Sequence, residues 1–184
     1  MSKLNIAVIT GSLQKNAYSK KLYAALQERA PEAALLTLLD FSKLPLFNEE
    51  LEANFPKEAT NFKKAIEAAD AILFITPEYN RSIPGVLKNA IDWGSRPYAE
   101  NSWAQKPAGI IGSAASPSGA FGAIHHLRHV LAYLDMHTMA QPEFYIPAIH
   151  EKFDENGALI DKAVEAHIST FWQAFVPYIQ RFQS

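Results

Sequence analysis

The 184-residue sequence contains no cysteine, which excludes disulfides, thiolate metal sites and a cysteine nucleophile. It also lacks an excess of charge of either sign, because 17 Lys and Arg residues stand against 19 Asp and Glu residues. No cluster of Lys and Arg offers the positive surface that a nucleic-acid backbone requires. We therefore expect no nucleic-acid partner, and the absence of cysteine fits a reducing compartment.

Long hydrophobic runs are also missing. No apolar stretch approaches the roughly 20 residues of a membrane-spanning helix, and the apolar run Ile6–Ile9 is too short for the core of a signal peptide. We expect a cytoplasmic protein with no membrane partner. No linker, repeat or low-complexity segment divides the chain, so residues 1–184 are expected to form a single domain.

What the sequence does contain is an alternation of short apolar runs with stretches of helical spacing. The apolar runs predict strands at Leu4–Thr10, Leu35–Leu39, Ala71–Ile75, Ala108–Gly112 and His137–Ala140. The helical spacing predicts helices at Tyr18–Arg29, Pro56–Ala69, Ile83–Trp93, Ala123–Met136 and Ala158–Phe182, and Glu143–Gly157 is expected to be a loop. This alternation indicates an α/β doubly wound sandwich, with helices on both faces of a five-stranded parallel sheet. The common order for this element count is the flavodoxin-like 2-1-3-4-5.

The loop after the first strand carries several hydrogen-bonding groups. Ser12 and Ser19 offer hydroxyls, Gln14 offers an amide, and the helix that follows adds free backbone N–H groups. Such a helix start favours an anion, and a phosphomonoester is the natural ligand. The alternative is that the two serines only cap the helix while Gly11 only makes the turn. The loop matches neither the dinucleotide fingerprint nor the P-loop, which disfavours a nucleotide fold of those types.

Two further loops follow the third and fourth strands, at the sheet edge where parallel sheets bind ligands. The first contains Pro77, Glu78, Tyr79 and Asn80, and we interpret it as a stiff turn whose backbone N–H groups face a flat ring. The second, residues 113–122, is rich in Ser and Gly and lets the backbone approach a planar ligand closely. Its alternative reading is a flexible surface loop.

Together these motifs resemble the NADPH-dependent FMN reductase family, which includes bacterial quinone and chromate reductases. The resemblance rests on Gly11-Ser12-Leu13-Gln14 with Ser19, on Pro77-Glu78-Tyr79-Asn80 with Leu87–Trp93, and on Ser116-Pro117-Ser118-Gly119, and it extends from about Leu4 to Glu143. It implies a flavodoxin-like fold, bound FMN, NADPH or NADH as electron donor, and a homodimer or homotetramer. The acceptor it implies is a small molecule: a quinone, an azo compound, a metal oxyanion or free flavin.

Carried over residue by residue, the resemblance implies three groups of cofactor-binding residues. The FMN phosphate would lie at Ser12, Gln14, Tyr18 and Ser19, one edge of the isoalloxazine at Pro77, Glu78, Tyr79 and Asn80, and its other border at Ser116 and Gly119. Family members frequently have Arg where this chain has Gln14, and often Ser where it has Ala17. The phosphate site therefore loses a fixed charge and a hydroxyl, for which Lys15 is a flexible substitute.

No catalytic side chain is expected, because hydride passes directly between a nicotinamide and a flavin without a general base. His125 and His129 have the spacing of a helical metal pair, but no third ligand is evident and we expect no metal site. We expect ping-pong turnover at one flavin face. The rival function is a flavodoxin-like electron carrier without turnover of its own, and a third possibility is an enzyme that releases reduced flavin to a partner. No motif selects the acceptor or distinguishes NADPH from NADH.

A subunit contact is expected along the helix that contains Leu87–Trp93. Val86, Ala90 and Trp93 recur at spacings of four and three, which places them on one stripe. Tyr98 and Trp103 in the following loop add apolar area beyond what a surface loop normally shows. Trp93 is accordingly expected either in the core or at the interface.

Overall fold

A parallel sheet forms the centre of the structure, a computed structural model that describes residues 3–183. Its strands are β1 (Leu4–Thr10), β2 (Ala34–Leu38), β3 (Ala71–Pro77), β4 (Pro107–Ser113), β5 (His137–Thr138) and β6 (Tyr145–Ile146). The helices are α1 (Tyr18–Glu28), α2 (Lys57–Glu67), α3 (Gly85–Gly94), α4 (Phe121–Tyr133) and α5 (Lys162–Gln180), with short 3-10 helices at Glu49–Asn54 and Ile149–Glu151. No helix within the described residues is long and apolar enough to cross a bilayer.

The strand order is β2-β1-β3-β4-β5, which confirms the flavodoxin-like topology predicted from the alternation of elements. β1 and β3 run parallel with Ile6 opposite Ala71, and β3 and β4 with Ile72 opposite Ala108. The loops after β1, β3 and β4 therefore leave the sheet at the same edge. This edge is where the predicted binding residues meet.

The sheet has a sixth strand that the sequence did not predict. β6 pairs with the end of β4, with Gly112 opposite Tyr145 and Ser113 opposite Ile146, in a segment expected to be loop. A strand of two residues is too short to show an alternating pattern, which explains why it was missed. β6 carries the chain back beside the binding edge.

Some predicted boundaries were wrong for local reasons. α5 begins at Lys162 instead of Ala158, because the Asp161 side chain caps it by accepting the N–H groups of Ala163 and Val164, each at 2.9 Å. α3 begins at Gly85 after Pro84, which has an extended backbone and ends the preceding turn.

The apolar core is divided by the sheet into two layers. Leu73 and Phe74, adjacent on β3, point to opposite faces because side chains alternate along a strand. Phe74 packs in the cluster with Leu87 of α3 and Leu127 of α4, whereas Leu73 belongs to the cluster with Phe171 of α5. Each such side chain contributes about 1.5–3 kcal/mol on full burial. β3 is therefore the rigid centre from which the second binding loop leaves.

Two of the three residues of the predicted apolar stripe on α3, Ala90 and Trp93, are buried within the chain, whereas Val86 is exposed. Trp93 is fully buried, donates from its indole Nε1 to the carbonyl of Pro45 at 2.7 Å, and meets the ring of Phe47 edge-on. Ala90 is also fully buried, and Trp103 packs so tightly that a Cβ on Gly94 would lie 2.4 Å from its ring. Of the two interpretations of Trp93, core is correct, and Ala90 and Trp93 are not available to a partner subunit.

Candidate functional site

The loops after β1, β3 and β4 enclose a cleft of about 400 Å³ at the carboxyl edge of the sheet. Its lining includes eight of the ten predicted binding residues: Ser12, Gln14, Tyr18, Ser19, Pro77, Glu78, Tyr79 and Ser116. The remaining two, Asn80 and Gly119, lie in the adjoining loops but outside this lining. The structure thus brings together residues more than 100 positions apart in the chain.

Ser19 occupies a distinctive position at the start of α1. Its side chain is buried at 3% exposure, and its hydroxyl has no hydrogen-bond partner within the described residues. A buried hydroxyl without a partner costs about 1–3 kcal/mol, so a ligand that bonds to it recovers that free energy. The N-cap of α1 is Ala17, which has no side-chain hydrogen bond, so Ser19 does not cap the helix. The capping alternative is wrong for Ser19.

Ser12 has a different role in the same loop. Its hydroxyl accepts the backbone N–H of Gln14 at 3.2 Å and shapes the turn. Just before it, Gly11 approaches the next loop so closely that a Cβ would lie 2.8 Å from Cδ of Pro77. The Gly11 N–H donates to the carbonyl of Ile75 at 2.8 Å, which holds the start of the first loop against β3.

The loop after β3 is a tight two-residue turn. Tyr79 and Ser82 exchange backbone hydrogen bonds of 2.9 and 3.0 Å, with Asn80 and Arg81 between them at φ values of +51° and +63°. Positive φ at both central residues is typical of type I′ turns. The Tyr79 N–H donates to the Ser82 carbonyl, so a backbone donor to a ring from this turn would be another N–H group. The phenol of Tyr79, 52% exposed, lies at the rim of the cleft.

The Glu78 carboxylate is buried and holds two loops together. It accepts the Ala123 N–H at 3.1 Å and pairs with the Arg81 guanidinium at 2.8 Å. Burial acts to raise the pKa of Glu78, but hydrogen bonds from Ala123, Arg81 and Gly122 outweigh it, so the pKa lies below its usual value. Glu78 is therefore an ionised positioning residue whose side chain is bound to a backbone amide and to Arg81.

The third loop closes the cleft with small residues. Ala114 and Ala115 contribute to the lining, and the Ser116 hydroxyl lies 2.8 Å from that of Ser118. Gly119 has a φ of +57°, and a Cβ there would lie 3.0 Å from Cβ of Tyr145. Glycine is needed at this position because β6 passes directly behind the loop.

Sequence reasoning did not identify Ile149 as part of the site. It belongs to the 3-10 helix Ile149–Glu151, and its N–H donates to the carbonyl of Ala114 at 3.0 Å. No motif surrounds Ile149, so only the pairing of β6 with β4 shows that it returns to the cleft.

The aromatic cluster beside the third loop contains Phe121, His125 and Tyr145. Nε2 of His125 lies 3.3 Å from the hydroxyl of Tyr145. Burial of the phenol, together with the charge of Glu143, raises the pKa of Tyr145 to about 12, so it is neutral near pH 7. Within residues 3–183, no three His, Cys, Asp or Glu side chains are grouped closely enough to hold a metal ion.

Comparison with known proteins matches this chain to one family over most of its length. The family described as NADPH-dependent FMN reductase matches residues 4–151. A quinone reductase of Pseudomonas putida is 45% identical over 173 residues, which cover 94% of this chain and 90% of that protein. A 2-hydroxy-1,4-benzoquinone reductase of a Burkholderia species is 41% identical over 177 residues, covering 96% and 97% of the two chains.

A solved structure shows the same similarity in three dimensions. The flavoenzyme NAD(P)H:(acceptor) oxidoreductase FerB of Paracoccus denitrificans superimposes with a TM-score of 0.90 at 39% identity, covering 97% of this chain and 98% of that one. The agreement in fold extends over nearly the whole chain.

Proposed function

The chain belongs to the NADPH-dependent FMN reductase family, and we propose that the cleft at the carboxyl ends of β1, β3 and β4 is its FMN site. The protein is an NAD(P)H-dependent oxidoreductase of the quinone reductase type, with FMN as its cofactor.

One observation carries the assignment of the phosphate position: the buried Ser19 hydroxyl without a partner, at the first turn of α1. A phosphate there would accept the Ser19 O–H and the free backbone N–H groups of the helix start, where the helix dipole favours an anion. Gln14 and Tyr18 complete this end of the cleft. The residues present fit a phosphomonoester.

The other end of the cleft fits a flat ring. Pro77, Glu78 and Tyr79 form one wall, and the small side chains of Ala114 and Ala115 form another. Glu78 fixes these walls relative to each other through its bonds to Arg81 and Ala123. Asn80 and Gly119 act by shaping their turns, since neither lines the cleft.

When bound, FMN supplies a two-electron relay between donor and acceptor. In the overall reaction NAD(P)H gives up two electrons and one proton. A quinone gains two electrons and two protons, the second from solvent, to become a hydroquinone. The protein's residues act by binding and orientation, and we assign no side chain a proton-transfer role. We propose a quinone as the acceptor class, by analogy with relatives whose names state that activity.

The single test is an anaerobic titration followed by visible absorption. The purified protein should show an FMN spectrum that is bleached by NADPH or NADH and restored by a benzoquinone through repeated cycles. A flavodoxin-like carrier would retain its FMN spectrum but would not be bleached by either nicotinamide. FMN lost on gel filtration but catalysis retained with added FMN would instead indicate release of reduced flavin.

We also propose that the protein acts in the cytoplasm as a homodimer or homotetramer, as the family resemblance implies. Ala90 and Trp93 are buried within the chain, so a contact along α3 would use its exposed residues, such as Val86, together with Tyr98 of the following loop. Light scattering at micromolar concentration tests this, because a monodisperse species at the chain mass of 20.4 kDa would contradict it.

A further inference from the structure

A second cleft of about 400 Å³ lies on the other side of the loop after β1. It is lined by Thr10, Ser12, Leu13, Lys15, Lys20 and residues 38–42 at the end of β2. Lys15 lines this cleft and not the FMN cleft, although it was expected to compensate at the FMN phosphate for the missing arginine. Ser12 lines both clefts, so the second adjoins the phosphate end of the proposed FMN site. The two clefts are therefore neighbours on either side of the loop after β1.

The charged groups of the second cleft leave a positive excess. Neither Lys15 nor Lys20 forms an ion pair with a carboxylate within residues 3–183, and the Nζ of Lys20 has only a 3.4 Å contact with the Leu13 carbonyl. Asp40 is the acidic residue of the lining, and hydrogen bonds from Ser42, then the charges of Lys43 and Lys20, lower its pKa. Two ammonium groups thus face one carboxylate, which favours an anionic ligand.

The uncharged part of the lining suits a flat apolar group. Leu13 is 42% exposed at the mouth, and Leu39 and Phe41 form the wall behind it. An apolar wall beside a few charged groups is the usual construction of a site for a small organic ligand. A base that stacks on this wall would place an attached phosphate near the lysines.

We propose that this second cleft receives the adenosine end of NADPH and that Lys15 and Lys20 bind its 2′-phosphate. The inference rests on the proposed function, because the nicotinamide must reach the FMN cleft. NADH lacks the 2′-phosphate and makes no equivalent contact, so these lysines give the protein a preference for NADPH. Their ammonium groups bind phosphate as point charges on flexible stems.

The experiment compares Lys15→Gln, Lys20→Gln and the double variant with the unaltered protein. Anaerobic stopped-flow absorption gives the dissociation constants for NADPH and NADH from the bleaching of FMN. We expect NADPH to bind about fivefold more weakly for each lysine removed, as for exposed charge-assisted contacts, with NADH changed less than twofold. Lys64→Gln is the control, because Lys64 is exposed on α2 and lines neither cleft. It removes the same charge and should leave the NADPH to NADH ratio unchanged.

A binding measurement without turnover completes the test. Isothermal titration of the holoprotein with 2′,5′-ADP should show binding that is lost in the double variant, while 5′-AMP binds weakly and equally to both. Equal weakening of 2′,5′-ADP and 5′-AMP would place the lysines at the 5′-phosphate and overturn the proposal, as would an unchanged NADPH to NADH ratio. Failure of both NADPH and NADH to bleach FMN would refute the proposed function. The 2′,5′-ADP titration separately tests whether the second cleft binds a 2′-phosphate.

Discussion

The backbone N–H of Ala123 donates to the Glu78 carboxylate at 3.1 Å and joins the loop after β3 to the first turn of α4. The N-cap of α4 is Ala120, which has a φ of +70° and no side chain able to cap. Glu78 therefore supplies the anionic acceptor that the helix start lacks, from 45 residues away in the chain. The same side chain sets the relative position of two walls of the FMN cleft.

Glu78→Ala should destabilise the protein by about 2 kcal/mol, because it removes a buried charged acceptor and leaves the N–H of Ala123 unpaired. The melting temperature should fall by roughly 4–8 °C. Glu78→Gln keeps one acceptor oxygen, so this variant should lose less stability than Glu78→Ala. FMN affinity should fall together with stability, and an Ala variant as stable as the parent would disprove the capping role.

The same carboxylate predicts a pH dependence of stability. The pKa of Glu78 in the folded protein is lowered from 4.5. The ionised carboxylate therefore contributes to the stability of the folded protein above pH 4.5, and this contribution is lost as the pH falls through the folded pKa. Urea unfolding should therefore show the largest difference between parent and Glu78→Gln near pH 7. The difference should shrink at pH values below the lowered pKa, and a constant difference would rule out the ionised role.

Ser19→Ala and Ser12→Ala should affect the apoprotein in different directions. Ser19→Ala should leave the stability of the apoprotein unchanged or raise it by up to about 1 kcal/mol, because the Ser19 hydroxyl has no partner. The same variant should bind FMN about five- to tenfold more weakly. Ser12→Ala should destabilise the apoprotein by roughly 1 kcal/mol through loss of the Gln14 contact. Flavin fluorescence quenching and apoprotein unfolding measure the two quantities, and equal affinities for FMN and riboflavin would refute a phosphate site at this loop.

Gln14→Arg should tighten FMN binding by about three- to tenfold, since a guanidinium adds a charged bidentate donor beside the phosphate. Riboflavin, which has no phosphate, should bind as before. Gln27→Arg, on the exposed surface of α1, adds the same charge away from the cleft. It controls for the long-range electrostatic effect of an added positive charge on FMN binding. If Gln14→Arg has no effect on FMN, the side chain at position 14 does not reach the phosphate.

Gly11→Ala should lower the free energy of unfolding by roughly 1–3 kcal/mol. The added Cβ would lie 2.8 Å from Cδ of Pro77 and would force two binding loops apart. FMN binding should weaken as well. Gly85→Ala is the matched control, since nothing lies within 4 Å of a Cβ there and alanine suits the first turn of α3. It should be neutral or slightly stabilising in thermal unfolding, and similar losses in both variants would contradict the close-approach argument.

Steady-state kinetics should give parallel reciprocal plots against quinone at several NADPH concentrations, as expected for a ping-pong reaction. The loops after β1, β3 and β4 would cover one edge and one face of the bound ring, which leaves a single face for both partners in turn. Tyr79→Ala, at the rim, should slow reduction by NADPH and oxidation by quinone alike. Intersecting plots would show that both substrates bind together and that their sites are separate.

Local pattern in the sequence was sufficient for the main elements of this protein. Apolar runs such as Ala71–Ile75 predict buried strands, and helical spacing predicts the helices between them. Once strands and helices alternate, right-handed crossovers leave few topologies, so the strand order and the binding edge follow from the sequence. The local pattern indicated the three binding loops and the family resemblance implied the ten residues within them, of which eight line the cleft.

Tertiary structure decided everything that depends on contacts between distant segments. The burial of Trp93 against Pro45, the return of Ile149 to the cleft and the capping of α4 by Glu78 have no local signal, because the partners are far apart in the chain. The turn at Asn80 and Arg81 lacks the glycine that marks such turns, and the Arg81 pair with Glu78 helps to hold it. Only folding shows that the Ser19 hydroxyl is buried without a partner, since burial depends on the surrounding chain and not on residue type.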